Sequence, residues 1–384
     1  VDAFVAQYPN CTDILGDFTI EGNSINNISG LINLTTVNGL LTIQNTSLTS
    51  LNGFQNLNST YGLEISNNPN LTSIANLLQL NATVYQISIS NNPQLTSLFG
   101  LNGITSATSL YLVDLPLVIS LQPLSGLGGS LPFTYIINLP IQNLIGLNQV
   151  TTTTTFNLNN LPNLNSLQGL NQLTDIVIPI PRANDNDYPQ EVLGFAFGLS
   201  ITNTAIANLD ELSNLTNMNG TKLSIVNNPN LISLTGLTNL IPTSVGNLEI
   251  LNNALLSNCA TATICTILEN IDEDSVFIEV NNIGCTTVLE VENACEALST
   301  SDFNLTNDFK IYPNPFNNHI SIALGSDYQN VKITLVDVTG KQFYSKTLTG
   351  NTIEINQLDA LSSGIYFVTI ELENRTSLTK KIVK

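Results

Sequence analysis

The 384-residue sequence has no tryptophan, one methionine, one histidine and only 10 Lys and Arg together. Each scarcity removes a class of function. A surface this poor in bases cannot neutralise a run of phosphates, so nucleic acid is not a partner. An anionic membrane would repel it. No stretch approaches the roughly 18–20 apolar residues of a membrane span. The single histidine, His319, sits beside apolar Ile320 and reads as a surface or strand-end residue. There is no Gly-x-Ser-x-Gly elbow, His-Glu-x-x-His or phosphate loop. Sparse acids such as Glu64, Asp114 and Glu249 fall in different repeats, so no carboxylate pair is in view. No catalytic residue, metal ligand or cofactor is assigned.

The charge that is present is lopsided. Residues 1–298 hold 21 Asp/Glu and two bases, Arg182 and Lys222, whereas residues 299–384 hold eight of each sign. The tail is therefore a separate compositional unit, and the acid excess of the body favours solubility. No signal peptide stands at Val1, so the chain is expected either to be cytosolic or to be numbered after processing. Of five cysteines, Cys259, Cys265, Cys285 and Cys295 cluster with no histidine nearby. That suits disulfides in an oxidising compartment, with three possible pairings, and a zinc site is the alternative. Cys11 is left over, and its partner is expected upstream of Val1.

What the chain has in quantity is a repeat. Leu63-Glu64-Ile65-Ser66-Asn67-Asn68-Pro69 returns at Ile87 and at Leu223 with the same parts. Paired inward residues stand at Phe18/Ile20, Leu41/Ile43, Leu63/Ile65, Ile87/Ile89, Leu110/Leu112, Thr134/Ile136, Phe156/Leu158, Leu199/Ile201, Leu223/Ile225 and Leu248/Ile250. The steps are 22–25 residues except one of 43, which is a repeat plus an insertion at 176–198. Such a period marks a solenoid. A row of Asn45, Asn67, Asn91, Asp114, Asn138, Asn160, Asn203, Asn227 and Asn252 follows the pairs, with Gly22 in the first copy. Amides there suit sharp turns and stacking between copies. The linking segments are rich in Asn, Thr, Ser and Gly and poor in helix formers, so a parallel β-solenoid is favoured over a helical horseshoe. The expected plan is a helical cap at 1–16, about ten rungs over 17–258, and a cysteine-rich cap at 259–298. A polar linker at 299–309 and a small β-sandwich at 310–384 complete it, making the chain all-β.

The repeat resembles the leucine-rich, receptor-L-domain-like repeats of secreted bacterial surface proteins over about residues 17–258. That resemblance implies a right-handed β-helix used for recognition rather than catalysis. The tail closely resembles the type A C-terminal sorting domain of the type IX secretion pathway. The resemblance rests on Tyr312-Pro313-Asn314-Pro315, on Asp337 with Gly340-Lys341, on Gly364-Ile365-Tyr366, and on the basic end with Lys380 and Lys381. It implies an immunoglobulin-like fold, export across the outer membrane to the surface or medium, and handling by the type IX translocon and sortase. Asp274-Ser275-Val276 is similar to an O-glycosylation acceptor of Bacteroidota, with an unmodified Ser275 as the alternative.

The strand positions between the inward pairs face outward. Tyr111 and Tyr135 fall there on adjacent rungs, followed by Val113 and Ile137. This is the candidate ligand patch, for a glycan or a protein, unless the insertion folds over it. In the insertion, Asp185 and Asp187 could hold calcium, and a solvated loop is the alternative. The expected function is a non-catalytic secreted or surface recognition and adhesion protein. The alternative is a polysaccharide-active enzyme on a β-helix. Ice binding would need regular Thr rows, and Thr151–Thr155 is one local run.

Overall fold

Two apolar residues flanking a polar one make a strand with one buried face, and here those faces are piled on one another. The structure, a computed structural model, describes residues 2–81, 83–178, 197–298, 309–371 and 377–384. The chain divides into two units, 1–298 and 299–384, each described by itself. In the first unit twelve strands form one parallel sheet. Leu63 stands between Leu41 and Ile87, and the series continues through Leu110, Thr134, Phe156, Leu199, Leu223 and Leu248. Phe156 pairs directly with Leu199, so the longer segment between them leaves the register intact. The ladder also runs one step past the ten pairs read from the sequence. Val276 and Ile278, expected within the cap, pair with Leu248 and Ile250.

Behind the sheet, leucines recur every three residues. Leu71, Ile74, Leu77 and Leu80 are fully buried, as are Leu95, Leu98, Leu101 and Ile104. A spacing of three matches the 3-10 helix, in which residues i and i+3 eclipse. Single 3-10 turns form at Ala75–Leu77, Gln122–Leu124, Asp210–Leu212 and Thr235–Leu237. Gly128–Ser130, Gln149–Thr153 and Asp175–Ile176 make a second, three-stranded parallel sheet. Each repeat therefore returns through turns and short strands, as its composition requires.

The Asn row marks a tight corner. Asn45, Asn67, Asn91, Asp114, Asn138, Asn160, Asn203, Asn227 and Asn252 all have φ between 53° and 60°. Asn and Asp tolerate that left-handed region better than other residues with a Cβ. The next residue turns inward, and in several repeats it is a second asparagine. Asn68, Asn92, Asn228 and Asn253 are fully buried. Asn92 Nδ2 donates to the carbonyls of Ile65 and Ser90 at 2.8 Å, while its Oδ1 accepts from the Asn68 backbone N–H at 3.1 Å. The same pattern joins Asn228 to Asn253 and Asn253 to Asn281. These amides satisfy backbone groups that the turn strips from the ladder.

The ends carry the helices. In α1 (Asp2–Gln7), Phe4 lies 5.5 Å from Phe18, ring to ring, over the first rung. At the other end are α2 (Ala262–Asn270), capped by the Thr261 hydroxyl, and α3 (Val288–Leu298). Disulfides join Cys259 to Cys285 and Cys265 to Cys295.

The second unit is antiparallel. Strands Phe309–Tyr312, Ile320–Asp337, Gln342–Ile355, Ile365–Glu371 and Ser377–Val383 form one five-stranded sheet. The long strand Ile320–Asp337 changes partners along its length. Its first part pairs with Phe309–Tyr312 and its last part with Ile365–Glu371, while Gln342–Ile355 runs beside both. The sheet curls around a core that includes Phe316, Ile322, Ile333, Leu335, Val368 and Ile382.

Candidate functional site

Outward positions of the parallel sheet build the candidate face. Tyr111 pairs with Tyr135 and Val113 with Ile137 in register. The two phenol rings stack at 4.9 Å with an interplanar angle of 5°. Their exposure differs from the expectation of an open pair. Tyr135 is only 3% exposed, whereas Tyr111, Val113 and Ile137 are half-buried. Tyr135 packs next to Tyr111, Phe133 and Asn157, and the latter two are also buried. Burial, and secondarily the neighbouring Tyr111, push the Tyr135 phenol up to about 12 despite a hydrogen bond with Thr155. Tyr111 is also raised, by burial and then by Tyr85. Tyr111 and the two aliphatic side chains are therefore the accessible part of this patch, and Tyr135 stacks beside Tyr111 as its buried member.

Sequence reasoning missed a second stacked pair. Tyr61 and Tyr85 lie on adjacent strands with ring centroids 5.2 Å apart and planes 10° apart. Both precede the inward pair of their repeat by two residues. Alternation predicts an inward position there, but the preceding residues, Thr60 and Val84, take the buried place instead, and Tyr61 is 52% exposed. Aligning the repeats would have revealed their shared place, though not this break in alternation.

Two charged groups on this face neutralise each other. Lys222, the only base of the first unit among the described residues, pairs with Glu249 at 2.5 Å, and Ser224 donates to the same carboxylate at 2.8 Å. Glu64 and Glu249 stand on strands far apart in the ladder, and Asp114 sits at the Asn corner. There Asn138 Nδ2 donates to Asp114 at 2.5 Å, Asn160 to Asn138 at 2.6 Å, and Asn227 to Asn203. At these corners the side chain bonds its counterpart in the preceding repeat. His319 is exposed and lies 2.9 Å from Asn318 Oδ1. Among the described residues no group of three His, Cys, Asp or Glu side chains is placed to hold a metal. Asp185 and Asp187 lie outside the described residues.

Cys11 is a free thiol whose Sγ lies 3.5 Å from the Asp13 carbonyl oxygen. Ser275 is half-buried at the end of a 3-10 turn, and its backbone N–H donates to Asp272.

In the second unit the motif residues meet. Asp337 Oδ1 accepts from the Thr339 hydroxyl at 2.6 Å and from the backbone N–H groups of Thr339 and Lys341 at 2.8 and 3.1 Å. Gly340 closes the turn at φ 81°. These bonds, the Thr339 hydroxyl first, hold the Asp337 carboxyl below its ordinary range. Asn314 Oδ1 accepts from the Val383 N–H at 2.9 Å, and Phe316 N–H donates to the Val383 carbonyl at 2.9 Å. Gly364 and Lys384 exchange two backbone bonds. Lys384 Nζ donates to the carbonyls of Leu358 and Asp359. Lys380 and Lys381 pair with Val368 and Phe367 in the adjoining strand, and Tyr312, Pro313 and Pro315 are exposed. The opening motif and the final strand, distant in sequence, are thus one hydrogen-bonded assembly.

Comparison with known proteins agrees with this arrangement. Residues 310–384 match the secretion system C-terminal sorting domain, and residues 10–101 match the receptor L domain. The chain carries a type IX sorting domain and is exported to the cell surface or secreted. No helix among the described residues is long and apolar enough to cross a membrane. An endo-acting ulvan lyase of Formosa agariphila is 26% identical over 91 residues, covering 23% of this chain and 17% of the lyase. PorZ, a surface component of the type IX secretion system of Porphyromonas gingivalis, is 19% identical. That match covers 22% of this chain and 12% of PorZ, with a TM-score of 0.19. The chain matches less than a fifth of the length of either relative.

Proposed function

We propose that this protein, which carries a type IX sorting domain and a receptor L domain, is a non-catalytic recognition and adhesion scaffold. In this reading the parallel ladder is the wall of a right-handed solenoid of stacked rungs over 17–258, closed by the caps at 1–16 and 259–298. The curled sheet of 310–384 is an immunoglobulin-like sandwich that the translocon reads and a sortase removes near 299–309. The body then binds a glycan or a protein at the cell surface.

One observation carries the reading. Tyr111, backed by a stacked Tyr135, stands half-open beside Val113 and Ile137 on a regular sheet face. Tyrosine at such a place offers area and a polar end, and an apolar patch on an otherwise polar face marks a contact site. An enzyme would need acids converging on one point, and Glu64, Asp114 and Glu249 stand on separate strands or corners. Lyase activity belongs to the Formosa protein, and the shared segment is a minor part of both chains.

The test is a screen of the full chain against glycans, surface polymers and surface proteins, followed by Tyr111→Ala. The expected result is at least tenfold weaker binding with an unchanged melting temperature. Truncating Tyr135 would confound binding with packing, because it is buried. A ligand whose affinity ignores Tyr111→Ala places recognition elsewhere, and depolymerisation of an offered polysaccharide would overturn the non-catalytic reading.

A further inference from the structure

A groove of about 750 Å³ follows the Asn corner across four repeats. Ligand clefts ordinarily hold about 300–1,000 Å³. Two rows line it, the corner residues Asn67, Asn91, Asp114 and Asn138, and the prolines Pro69, Pro93 and Pro116. The register along it is unbroken. Ser66, Ser90, Val113 and Ile137, each just before its corner, are paired in succession. The N–H groups of Asn67, Asn91 and Asp114 then donate to the Ser90, Val113 and Ile137 carbonyls at 3.1, 3.0 and 3.1 Å.

The groove is preformed. Its three prolines are exposed and their φ is fixed by the ring. Buried amides pin the corner beneath them. Asn68 Nδ2 donates to the Ile43 and Ser66 carbonyls, both at 3.0 Å, as Asn92 does to Ile65 and Ser90. Little order remains to be imposed on this wall when a ligand arrives. Its polar groups are also open. The corner bonds that run from Asn160 to Asn138 to Asp114 stop there. Among the described residues the exposed side-chain amides of Asn91 and Asn67 make no hydrogen bond. Each offers two donors and an acceptor. Asp114 is the one charged residue of the lining, and only its Oδ1 is engaged, by Asn138. Residues 51–150 hold no Lys, Arg or His. A cationic group is therefore favoured in the groove and an anionic one disfavoured.

The spacing selects the shape of the ligand. Equivalent residues recur every strand spacing, so two repeats cover about 9.6 Å at roughly 4.8 Å each. A polyproline II helix has three residues per turn, each rising about 3.1 Å, or about 9.3 Å per turn. One ligand turn thus matches two repeats, and a contact made at Pro69 recurs at Pro116. A β-strand repeats every two residues, about 6.6 Å, and falls out of step. A polyproline II backbone makes no hydrogen bond within itself, so its carbonyls are free to accept from the wall.

We propose that this groove binds a basic, proline-rich peptide segment in the polyproline II conformation. The ligand's prolines pack on Pro69, Pro93 and Pro116, its carbonyls accept from the Asn67 and Asn91 amides, and a Lys or Arg side chain pairs with Asp114. The inference rests on the recognition reading above and gives it a second site and a ligand class. The Tyr111 patch adjoins the groove, since Val113 and Ile137 directly precede Asp114 and Asn138.

The test is calorimetric titration of the full chain with a peptide of four Pro-Pro-Lys triplets. One counterpart carries Glu in place of Lys, another carries Gly and Ser in place of the prolines, and cellohexaose stands for a neutral glycan. The first peptide is expected to bind at least tenfold more tightly than any of the three. Pro93→Ala combined with Pro116→Ala should weaken it tenfold or more. Asp114→Asn, which installs the residue of the other corners, should weaken it about threefold and flatten its dependence on salt. Pro229→Ala, in the same Asn-Asn-Pro motif outside the groove, should leave the affinity unchanged. Circular dichroism melts check that each variant is folded. Failure of the peptide to bind, equal affinity for either counterpart, or indifference to the double proline variant each overturns the proposal. Tighter binding of cellohexaose, lost in the double proline variant, makes the groove a glycan site and overturns the peptide. Peptide binding lost in Tyr111→Ala but kept in the double proline variant overturns the groove while leaving the recognition reading in place. A chain that binds neither the peptide nor any ligand through Tyr111 loses both.

Discussion

Val280 occupies the corner position that asparagine or aspartate holds in nine earlier repeats, and it adopts the same left-handed backbone, φ 57°. A β-branched side chain is among the worst choices there, because its Cβ crowds the following carbonyl at a cost of roughly 1–2 kcal/mol. Val280 is also 66% exposed, so it gains little from burial. Val280→Asn is therefore expected to stabilise the protein by about 1 kcal/mol. A thermal melt checks this, and a fall in melting temperature would show that the valine has a partner the corner geometry does not reveal. The residue escaped sequence reading for a physical reason. The corner row is recognised by its Asn and Asp side chains, and this copy, with a valine instead, sits in a repeat whose strand, Val276–Glu279, looked like part of a cap.

The corner is also where sequence and structure part company at the scale of an element. The strands, their inward pairs and their register were legible, because alternation at a fixed period admits one stacking that buries every pair. The direction of the corner asparagines was not. In Asn91-Asn92 both residues are the same amide, yet Asn91 is exposed at φ 53° and Asn92 is fully buried. Period alone cannot say which amide turns in. The structure does, and the middle repeats show the alternative. Leu115, Leu139 and Leu161 occupy the inner place there and are buried as apolar residues. Tyr135 eluded the reading in a similar way. Strand parity turns its side chain away from the repeat interior, yet it is 3% exposed, because an outward residue can still be packed over by its neighbours. The two corner asparagines can be told apart by mutation. Asn92→Ala removes two donors from buried carbonyls and an acceptor from the Asn68 N–H. At about 1 kcal/mol per bond, with stranded partners costing more, the expected loss is roughly 2–4 kcal/mol. Asn91→Gly keeps the left-handed backbone and should change stability by less than about 1 kcal/mol. Urea denaturation of both variants is the measurement, and equal losses would refute the division between an inner structural amide and an outer corner amide.

Across the whole first unit, each strand touches mainly its two neighbours, so stability is close to a sum of rung terms and interface terms, and the ends are the weak points. The two ends are secured differently. At the start, α1 lays Phe4 against Phe18 without a covalent tie. At the finish, Cys259–Cys285 and Cys265–Cys295 bind α2 and α3 around the last rung, closing segments with separations of 26 and 30 residues. A crosslink of that size restricts the unfolded chain by about 3–4 kcal/mol in the entropic account. The eight acids of residues 259–298, with no base among them, repel one another, so this end has particular need of its crosslinks. Reduction should therefore loosen the molecule from this end. Hydrogen exchange with and without reductant gives the measurement. Amides of Val276–Glu279 are expected to lose protection first and those of Val245–Leu251 next, while Ser106–Val113 in the middle keep theirs. Uniform loss along the ladder would mean that the rungs unfold as one cooperative block, and a loss beginning at Phe18–Glu21 would mean that the helical cap, not the disulfide end, limits the stability of the stack.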